Sequence, residues 1–286
     1  METTLRIAFQ KKGRLHDDSM QLMKEAGIKF NLGSGRLVAT ASGFPIEVLF
    51  LRDDDIPQTV ADGVADIGVV GENEYLEKGY KLNIAKRLGF SKCRLSLAIP
   101  KGESYPGLSW FNGKKIATSY PKILKDYFTK EKINADIHEI AGSVEIAPGI
   151  GLADAIFDIV SSGSTLVANS LKEVEVAMKS EALLVANPTM SLEKLALLEQ
   201  LLFRFNAVQA SNSNKYILLN APNDKITEIV KILPGMKSPT VLPLAEEGWS
   251  SIHSVIQEDQ FWEIIGQLKE NGAQGILVIP IEKMII

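Results

Sequence analysis

Asp158, Ser161, Ser162, Gly163, Ser164 and Thr165 fall within the short run Asp-Ile-Val-Ser-Ser-Gly-Ser-Thr. Hydroxyl groups and backbone N–H groups gathered in a turn are donors for an anion, and a glycine lets a phosphate come close to the backbone. A carboxylate three residues before the turn suits the complementary task of accepting hydrogen bonds from sugar hydroxyls. The combination points to a ribose 5-phosphate ligand rather than to bare phosphate. The same residues also read as an ordinary turn between a strand and a helix, with Asp158 tethering the backbone. The run by itself does not choose between these readings.

The elements that must position this turn are legible around it. Ala153–Val160 reads as an apolar strand carrying Asp154 and Asp158, and a helix is expected beyond it through Leu166 and Leu171. At about 3.3 Å per residue, Asp154 stands roughly 13 Å from Asp158 on the same strand face, too far to share one ligand group. It therefore reads as structural.

A chain of 286 residues has room for two or three domains and sizeable cores. Its 45% apolar and 23% charged content is that of an ordinary globular protein, and a net charge of −4 argues against a general nucleic-acid or membrane-surface binder. The basic cluster Lys11-Lys12-Gly13-Arg14 still suits a small polyanion. The opening Met-Glu-Thr-Thr-Leu-Arg-Ile-Ala-Phe lacks the pattern of a secretory signal, and no apolar run nears the roughly 20 residues of a membrane span. A single cysteine, Cys93, excludes an internal disulfide framework and fits a reducing cytoplasm. With only three histidines, a His/Cys metal site is not expected.

Two passages resemble each other. Gly63-Val64-Ala65-Asp66-Ile67-Gly68 and Gly151-Leu152-Ala153-Asp154-Ala155-Ile156 share Gly-apolar-Ala-Asp followed by a short strand. Before the first lie a strand Leu5–Phe9, a helix from about Asp17 to Ala26, a strand Ile46–Leu51 and a helix opened by Asp55-Ile56-Pro57. Before the second lie a strand Lys115–Thr118, a helix opened by Ser119-Tyr120-Pro121 and a strand Ile137–Ile140. Alternating strands and helices predict two similar α/β lobes with parallel sheets. Ligands of such sheets bind beyond the carboxyl ends of the strands. That rule gathers 11–14, 52–55, 71–73, 119–122, 143–145 and 161–165 around one cleft.

Leu95–Ile99 reads as a bridging strand after the first lobe, and Leu183–Val185 as a continuation of the second sheet. A helix over about 191–210 is expected to return toward the first lobe. The remainder predicts strand Lys215–Asn220, helix Asp224–Leu233, strands Thr240–Leu244 and Ser251–Gln257, helix Glu258–Glu270 and strand Gly275–Ile279. The order βαββαβ is that of a ferredoxin-like module. It lacks a dense polar constellation, so regulation or assembly suits it better than chemistry.

An ordered set of motifs identifies a family. Lys12-Gly13-Arg14-Leu15, Arg52-Asp53-Asp54-Asp55-Ile56-Pro57, Gly63–Gly68, Gly142-Ser143-Val144-Glu145, Asp158–Leu166 and Pro234-Gly235-Met236-Lys237-Ser238-Pro239-Thr240 span the chain. Together they resemble ATP phosphoribosyltransferase of the long form, which begins histidine biosynthesis. The last motif marks the long form, since the short form lacks this module and depends on a separate regulatory subunit. The resemblance implies an α/β fold of two periplasmic-binding-protein-like lobes with an ACT-like βαββαβ domain. Expected divisions are 1–99 with a return segment 189–212, then 100–188, then 213–286. Phosphoribosyl diphosphate loops of similar enzymes usually carry two adjacent acids, whereas position 157 here is Phe.

By this resemblance ATP and phosphoribosyl diphosphate yield N1-phosphoribosyl-ATP and diphosphate. Ser161, Ser162, Gly163, Ser164 and Thr165 are then assigned to the 5-phosphate and Asp158 to the ribose. Glu145 is a further ribose candidate, with capping as its plainer role. Lys11, Gly13, Arg14 and Arg52 are assigned to ATP or diphosphate phosphates, and Gly71 and Glu72 to the nucleotide's adenine or ribose. Mg²⁺ is expected to travel with the diphosphate. The Asp53-Asp54-Asp55 run could touch it through water, though capping the helix at Pro57 and pairing with nearby bases is the plainer role. No general base stands out, because adenine N1 already carries a lone pair. Cys93 reads as an ordinary thiol. Histidine is the expected allosteric inhibitor, at Asn220, Met236, Ser238, Ser251 and Gly275, in a cytoplasmic homohexamer. Rival classes are a non-catalytic solute-binding protein and a ligand-sensing regulatory subunit.

Overall fold

A computed structural model describes residues 3–30, 37–233 and 235–285. The motif residue Pro234 lies outside them. By its contacts the chain divides into two units, 1–23 with 28–197 and 24–27 with 198–286.

The first unit holds two sheets. Strand β1 (Leu5–Gln10) is followed by helix α1 (Arg14–Glu25), β2 (Lys29–Phe30), β3 (Val38–Ser42) and β4 (Ile46–Leu51). Then come α2 (Ile56–Ala61), β5 (Ile67–Gly71), α3 (Glu72–Lys78) and β6 (Asn83–Arg87). The chain continues as β7 (Cys93–Pro100), β8 (Lys115–Thr118), α4 (Pro121–Glu131), β9 (Asp136–Glu139) and β10 (Ala155–Val160). Helix α5 (Ser164–Ala168), β11 (Leu171–Ser180) and β12 (Ala182–Ala186) complete it. The first sheet runs β2-β3-β4-β1-β5-β12-β6 and the second β11-β7-β10-β8-β9. β1 is parallel to β4 and β5, and β8 is parallel to β9 and β10.

Two expected assignments are corrected by this topology. β7 is not a bridge closing the first lobe at residue 99: it lies inside the second sheet, antiparallel to β10 and β11. Leu183–Val185 is not in the second sheet. It lies in the first, between β5 and β6. Each strand is apolar on both faces, as a central strand must be, and that pattern does not say which sheet it completes. Pairing decides it. Leu95, Leu97 and Ile99 share one core with Phe157, Ile116, Leu124 and Phe128, while Leu183 and Val185 pack with Ile56, Val60 and Val70.

The expected helix through Leu171 is also shorter than the spacing implied. It stops at Ala168, and Leu171 opens the ten-residue strand β11. Alternation in Leu171-Lys-Glu-Val-Glu-Val favours a strand, and Ser170 takes a left-handed turn at φ 56° between the two.

The duplication extends to hydrogen bonds. Asp66 Oδ2 accepts from Arg6 N and Asp154 Oδ2 from Lys115 N, each at 2.8 Å, so each acid ties its strand to the start of the neighbouring one. Gly63 (φ 73°) and Gly151 (φ 75°) both take the left-handed conformation that glycine tolerates. Their N–H groups donate to Val60 O and Pro148 O, and the next residues donate to Thr59 O and Ala147 O. That pair of bonds is the helix-terminating Schellman pattern. Asp154 is therefore a structural staple, as its distance from Asp158 implied.

In the second unit, helix α6 (Leu192–Asn212) belongs from Leu198 onward with β13 (Asn214–Pro222), α7 (Ile226–Ile232), β14 (Thr240–Pro243), β15 (Trp249–Gln257), α8 (Glu258–Glu270) and β16 (Gln274–Pro280). The sheet order β14-β15-β13-β16 with two helices is the ferredoxin-like arrangement. Ile217, Leu219, Ala221, Ile252 and Ile256 make its core with Ile229 and Leu268 of the helices. Alternation leaves Tyr216, Leu218, His253, Leu277 and Ile279 on the other face.

Candidate active site

Every segment expected at the cleft lies at the carboxyl end of a parallel strand: 11–14 after β1, 52–55 after β4, 71–73 at the end of β5, 119–122 after β8 and 161–165 after β10. The segment 143–145 leads from β9 into a 3₁₀ turn over Val144–Ile146. Contacts within the first unit then join the lobes across the cleft.

Ser161–Thr165 form an exposed turn at the end of β10. Gly163 sits at φ 84°, and a Cβ built there meets no described atom within 4 Å. Its conformation calls for glycine, and the space beside it is open. Ser162 Oγ lies 3.0 Å from Ser164 Oγ and accepts from Ser164 N at 3.4 Å, while the N-cap residue of α5 is Gly163, which has no side chain to cap it. Because α5 has only five residues, roughly one and a half turns, hydroxyls and local N–H groups matter more here than a long helix dipole.

Two arginines reach the turn. Arg14, at the start of α1 in the other lobe, donates to Ser161 Oγ at 2.7 Å and to Lys92 O at 3.1 Å. Arg94 donates to Ser161 O at 3.0 Å while its guanidinium grips Glu173. The sequence marked Arg14; Arg94 was missed, since one base beside Cys93 carries no signal of its own.

Asp158 lies on the β10 face that bears Ile156 and Val160, and its Oδ1 accepts from Ile159 N at 2.7 Å. Part of the tethering role is thus real. Burial pushes its carboxyl up to about 6, with the Glu145 charge adding to the rise and the Ile159 N–H opposing it. Glu145, half-buried in its 3₁₀ turn, is therefore an electrostatic neighbour of Asp158.

On the first lobe, Lys11 is exposed and its N–H donates to Leu51 O, while Gly13 turns the chain at φ 97°. Arg52 is exposed and pairs with Asp54 at 3.3 Å. Asp55 makes no side-chain cap on α2, so the acid run serves an ion pair and a 3₁₀ turn rather than the expected cap. Gly71 closes β5 against Asn73 Oδ1, which a Cβ at Gly71 would meet at 2.5 Å. The Glu72 carboxylate is taken up by Arg87, with Nη1 at 2.8 Å, and that arginine also holds Glu181. An ion pair thus already occupies the polar end that was expected to face a nucleotide.

The residues that do turn across the cleft are Asn73 and Glu74. Asn73 Nδ2 donates to Tyr120 Oη at 3.2 Å, and its Oδ1 accepts from Ser180 Oγ at 2.9 Å. Burial first, then the Glu74 charge, holds the Tyr120 phenol well above the usual range. Burial likewise raises Glu74, and Asp53 and Asp54 add to the rise. The sequence placed 119–122 at the cleft but left Tyr120 with no role beyond opening a helix. Burial pushes the Cys93 thiol up, which disfavours the thiolate.

In the second unit, a cavity of about 580 Å³ is lined by Tyr216, Met236, Ser238, Thr240, His253 and Ser254. The Ser254 hydroxyl, on the core-facing side of β15 with Ile252 and Ile256, is buried without a hydrogen-bond partner among the described residues. Met236 and Ser238 are thus at one pocket. Asn220, Ser251 and Gly275 lie farther along the sheet, with Asn220 opposite Ser251, and Ser251 Oγ 3.0 Å from His253 Nε2.

Residues 52–207 match the family described as ATP phosphoribosyltransferase, and 211–283 match the HisG C-terminal domain. An ATP phosphoribosyltransferase of Parabacteroides distasonis is 66% identical over 282 residues, covering 99% of this chain and all of that one. One from Cytophaga hutchinsonii is 59% identical over the full length of both. Among solved structures, the ATP phosphoribosyl transferase (HisG:HisZ) complex from Thermotoga maritima aligns with a TM-score of 0.61 at 31% identity, covering 71% of this chain and 96% of that one. A histidine kinase sensor domain with similarity to periplasmic binding proteins aligns at 0.50 and 10% identity, over 73% and 91%, and shows the shared fold of the lobes. With both family regions present along its length, the chain belongs to the ATP phosphoribosyltransferase family in its long form, the enzymes of the first step of histidine biosynthesis.

Proposed function

We propose that phosphoribosyl diphosphate docks on the second lobe and ATP on the first, so that adenine N1 faces the ribose anomeric carbon. The observation that carries this reading is Arg14 of one lobe donating to Ser161 Oγ of the other at 2.7 Å, beside the exposed hydroxyl turn. A 5-phosphate would take the donors of Ser161–Thr165, and the ribose hydroxyls would donate to Asp158, with Glu145 beside it. Arg14, Lys11 and Arg52 would meet phosphates of ATP or of the leaving diphosphate. Gly71 would flank the nucleotide, with Asn73 and Glu74 taking the place first given to Glu72.

In the reaction the N1–C1 bond forms as the bond from C1 to the diphosphate oxygen breaks, and the electron pair leaves with diphosphate. The chain's task is placement of two polyanions and stabilisation of developing charge. It needs no covalent intermediate. The family uses a divalent metal, and we assign Mg²⁺. Among the described residues no three His, Cys, Asp or Glu side chains gather into a metal cage. The donor set therefore fits an ion that arrives on the diphosphate and keeps water, with Asp158 and Glu145 placed to accept from that water. When bound, the ion neutralises charge on the leaving diphosphate.

In the second unit, free histidine would occupy the cavity lined by Tyr216, Met236, Ser238 and His253 and inhibit by favouring one subunit packing. The exposed Leu242, Leu277 and Ile279 offer an apolar face for a homohexamer. No helix among the described residues is long and apolar enough to cross a membrane. We place the enzyme in the cytoplasm, where its ATP is.

Turnover of ATP and phosphoribosyl diphosphate with Mg²⁺, followed by the absorbance of the adduct, tests the activity. Thr165→Val should weaken phosphoribosyl diphosphate by about tenfold, one lost charge-assisted bond, and leave ATP nearly unchanged. Equal loss for both substrates would refute the assignment.

A further inference from the structure

We infer that Glu77 is a positioning residue that fixes the two lobes at one rim of the cleft. Helix α4 of the second lobe has no cap from its own N-cap residue, Tyr120. Its cap comes from the other lobe. Glu77 Oε1 accepts from Lys122 N at 2.9 Å and Oε2 accepts from Ile123 N at 3.0 Å. The first N–H groups of a helix have no partner within it, so one carboxylate satisfies two of them and also meets the positive end of the helix dipole.

The tie is reciprocal. Lys122 Nζ donates to Leu76 O at 2.9 Å, one of the carbonyls left open at the end of α3. Gly79 closes α3 at φ 67°, and a Cβ there would press Lys122 Cε at 3.4 Å. Each helix end thus completes the other. One turn before Glu77 on the same helix face, Asn73 makes its bonds to Tyr120 and Ser180. Helix α3 therefore meets the second lobe along its length, and separating the lobes here would uncap two helices.

The consequence for catalysis rests on the placement of the two substrates on different lobes. Residues 71–74, the nucleotide side, open the same helix that carries Glu77. Loss of the cap frees α3 and the second lobe to shift relative to each other. A displacement of about 1 Å between reacting groups costs on the order of 100-fold in rate. Affinity for a ligand held mainly by one lobe should change little.

The test uses the full chain with spin labels at Gln58 on α2 and Lys130 on α4, Cys93 replaced by serine, and electron–electron resonance distances between them. Glu77→Ala should broaden a narrow distance distribution and lower the single-turnover rate about tenfold or more, with the Kd for phosphoribosyl diphosphate within about twofold. Glu77→Gln, whose single amide oxygen can still accept from one of the two N–H groups, should recover part of the rate. Should Glu77→Ala fail to fold, the comparison of Glu77→Gln with Lys122→Met supplies the same readings. An unchanged distance distribution, or a rate loss matched by equal loss of affinity and not recovered by glutamine, overturns the inference. Failure of the substrate placement would appear elsewhere, as unaltered phosphoribosyl diphosphate affinity in Thr165→Val.

Discussion

Replacing Asp158 by asparagine should have an effect whose size depends on pH. Burial holds this carboxyl at about 6 against an ordinary 3.8. Hydrogen bonds to an ionised group contribute about 1.5–3 kcal/mol, or roughly 10- to 100-fold in affinity. Asp158→Asn should therefore weaken phosphoribosyl diphosphate by about that factor near pH 8, where the wild-type group is ionised. One pH unit below its pKa only about one carboxyl in eleven is charged, so near pH 5 the advantage should shrink about tenfold. The ligand's phosphates titrate with a second pKa near 6 as well. The quantity to follow by calorimetry is accordingly the ratio of variant to wild-type Kd. A ratio that stays level between about pH 5 and pH 8 would refute hydroxyl binding by Asp158. Without ligand the sign reverses. The folded protein holds this proton more tightly than the unfolded chain, so stability drains away as pH rises from about 4 to about 6. Asp158→Asn should then raise Tm above about pH 6 and leave it unaltered near pH 4.

Arg14→Ala should cost phosphoribosyl diphosphate about tenfold in affinity and flatten its salt dependence, because an exposed charge is being removed; binding titrations at two ionic strengths check this. Gly68→Val should destabilise the protein by about 1–3 kcal/mol, since a Cβ there would stand 2.7 Å from Ile56 Cγ2 and 2.9 Å from Val60 Cγ2. Urea unfolding measures it. Met236→Arg should leave turnover in place and raise the half-inhibiting histidine concentration about tenfold, a loss of about 1.4 kcal/mol. Unaltered inhibition would move the effector pocket elsewhere.

Local chemistry was readable in the sequence, and partnership was not. Proline before an apolar periodic stretch announced α4, and the Gly-apolar-Ala-Asp repeat announced two similar lobes, because those signals act within a few residues; the staple bonds of Asp66 and Asp154 came only with the structure. The hydroxyl turn at Ser161–Thr165 stood out for the same reason. Leu183–Val185 was assigned to the wrong sheet, since an apolar run pairs equally well with either until the whole topology is closed. Glu72 pairs with Arg87, fifteen residues on, a partner that the local pattern did not announce. The strand-end rule brought 71–73 and 119–122 to one cleft, but neither the bond between Asn73 and Tyr120 nor the reach of Glu77 to α4 was legible, since both depend on residues far along the chain.

The exchange of β7 and β12 between the sheets bears on how the chain emerges from the ribosome. β6 is attached to its sheet through β12, and β5 meets β12 on its free side. Until residue 186 has been made, the nascent first half must carry Val69 and Val70 on an open edge, the kind of surface that recruits other strands. Separate expression of either half should give sticky, incomplete fragments, whereas a break in an outer turn should be survivable. Cells making this enzyme in quantity would be expected to shield that gap with a holdase during the interval.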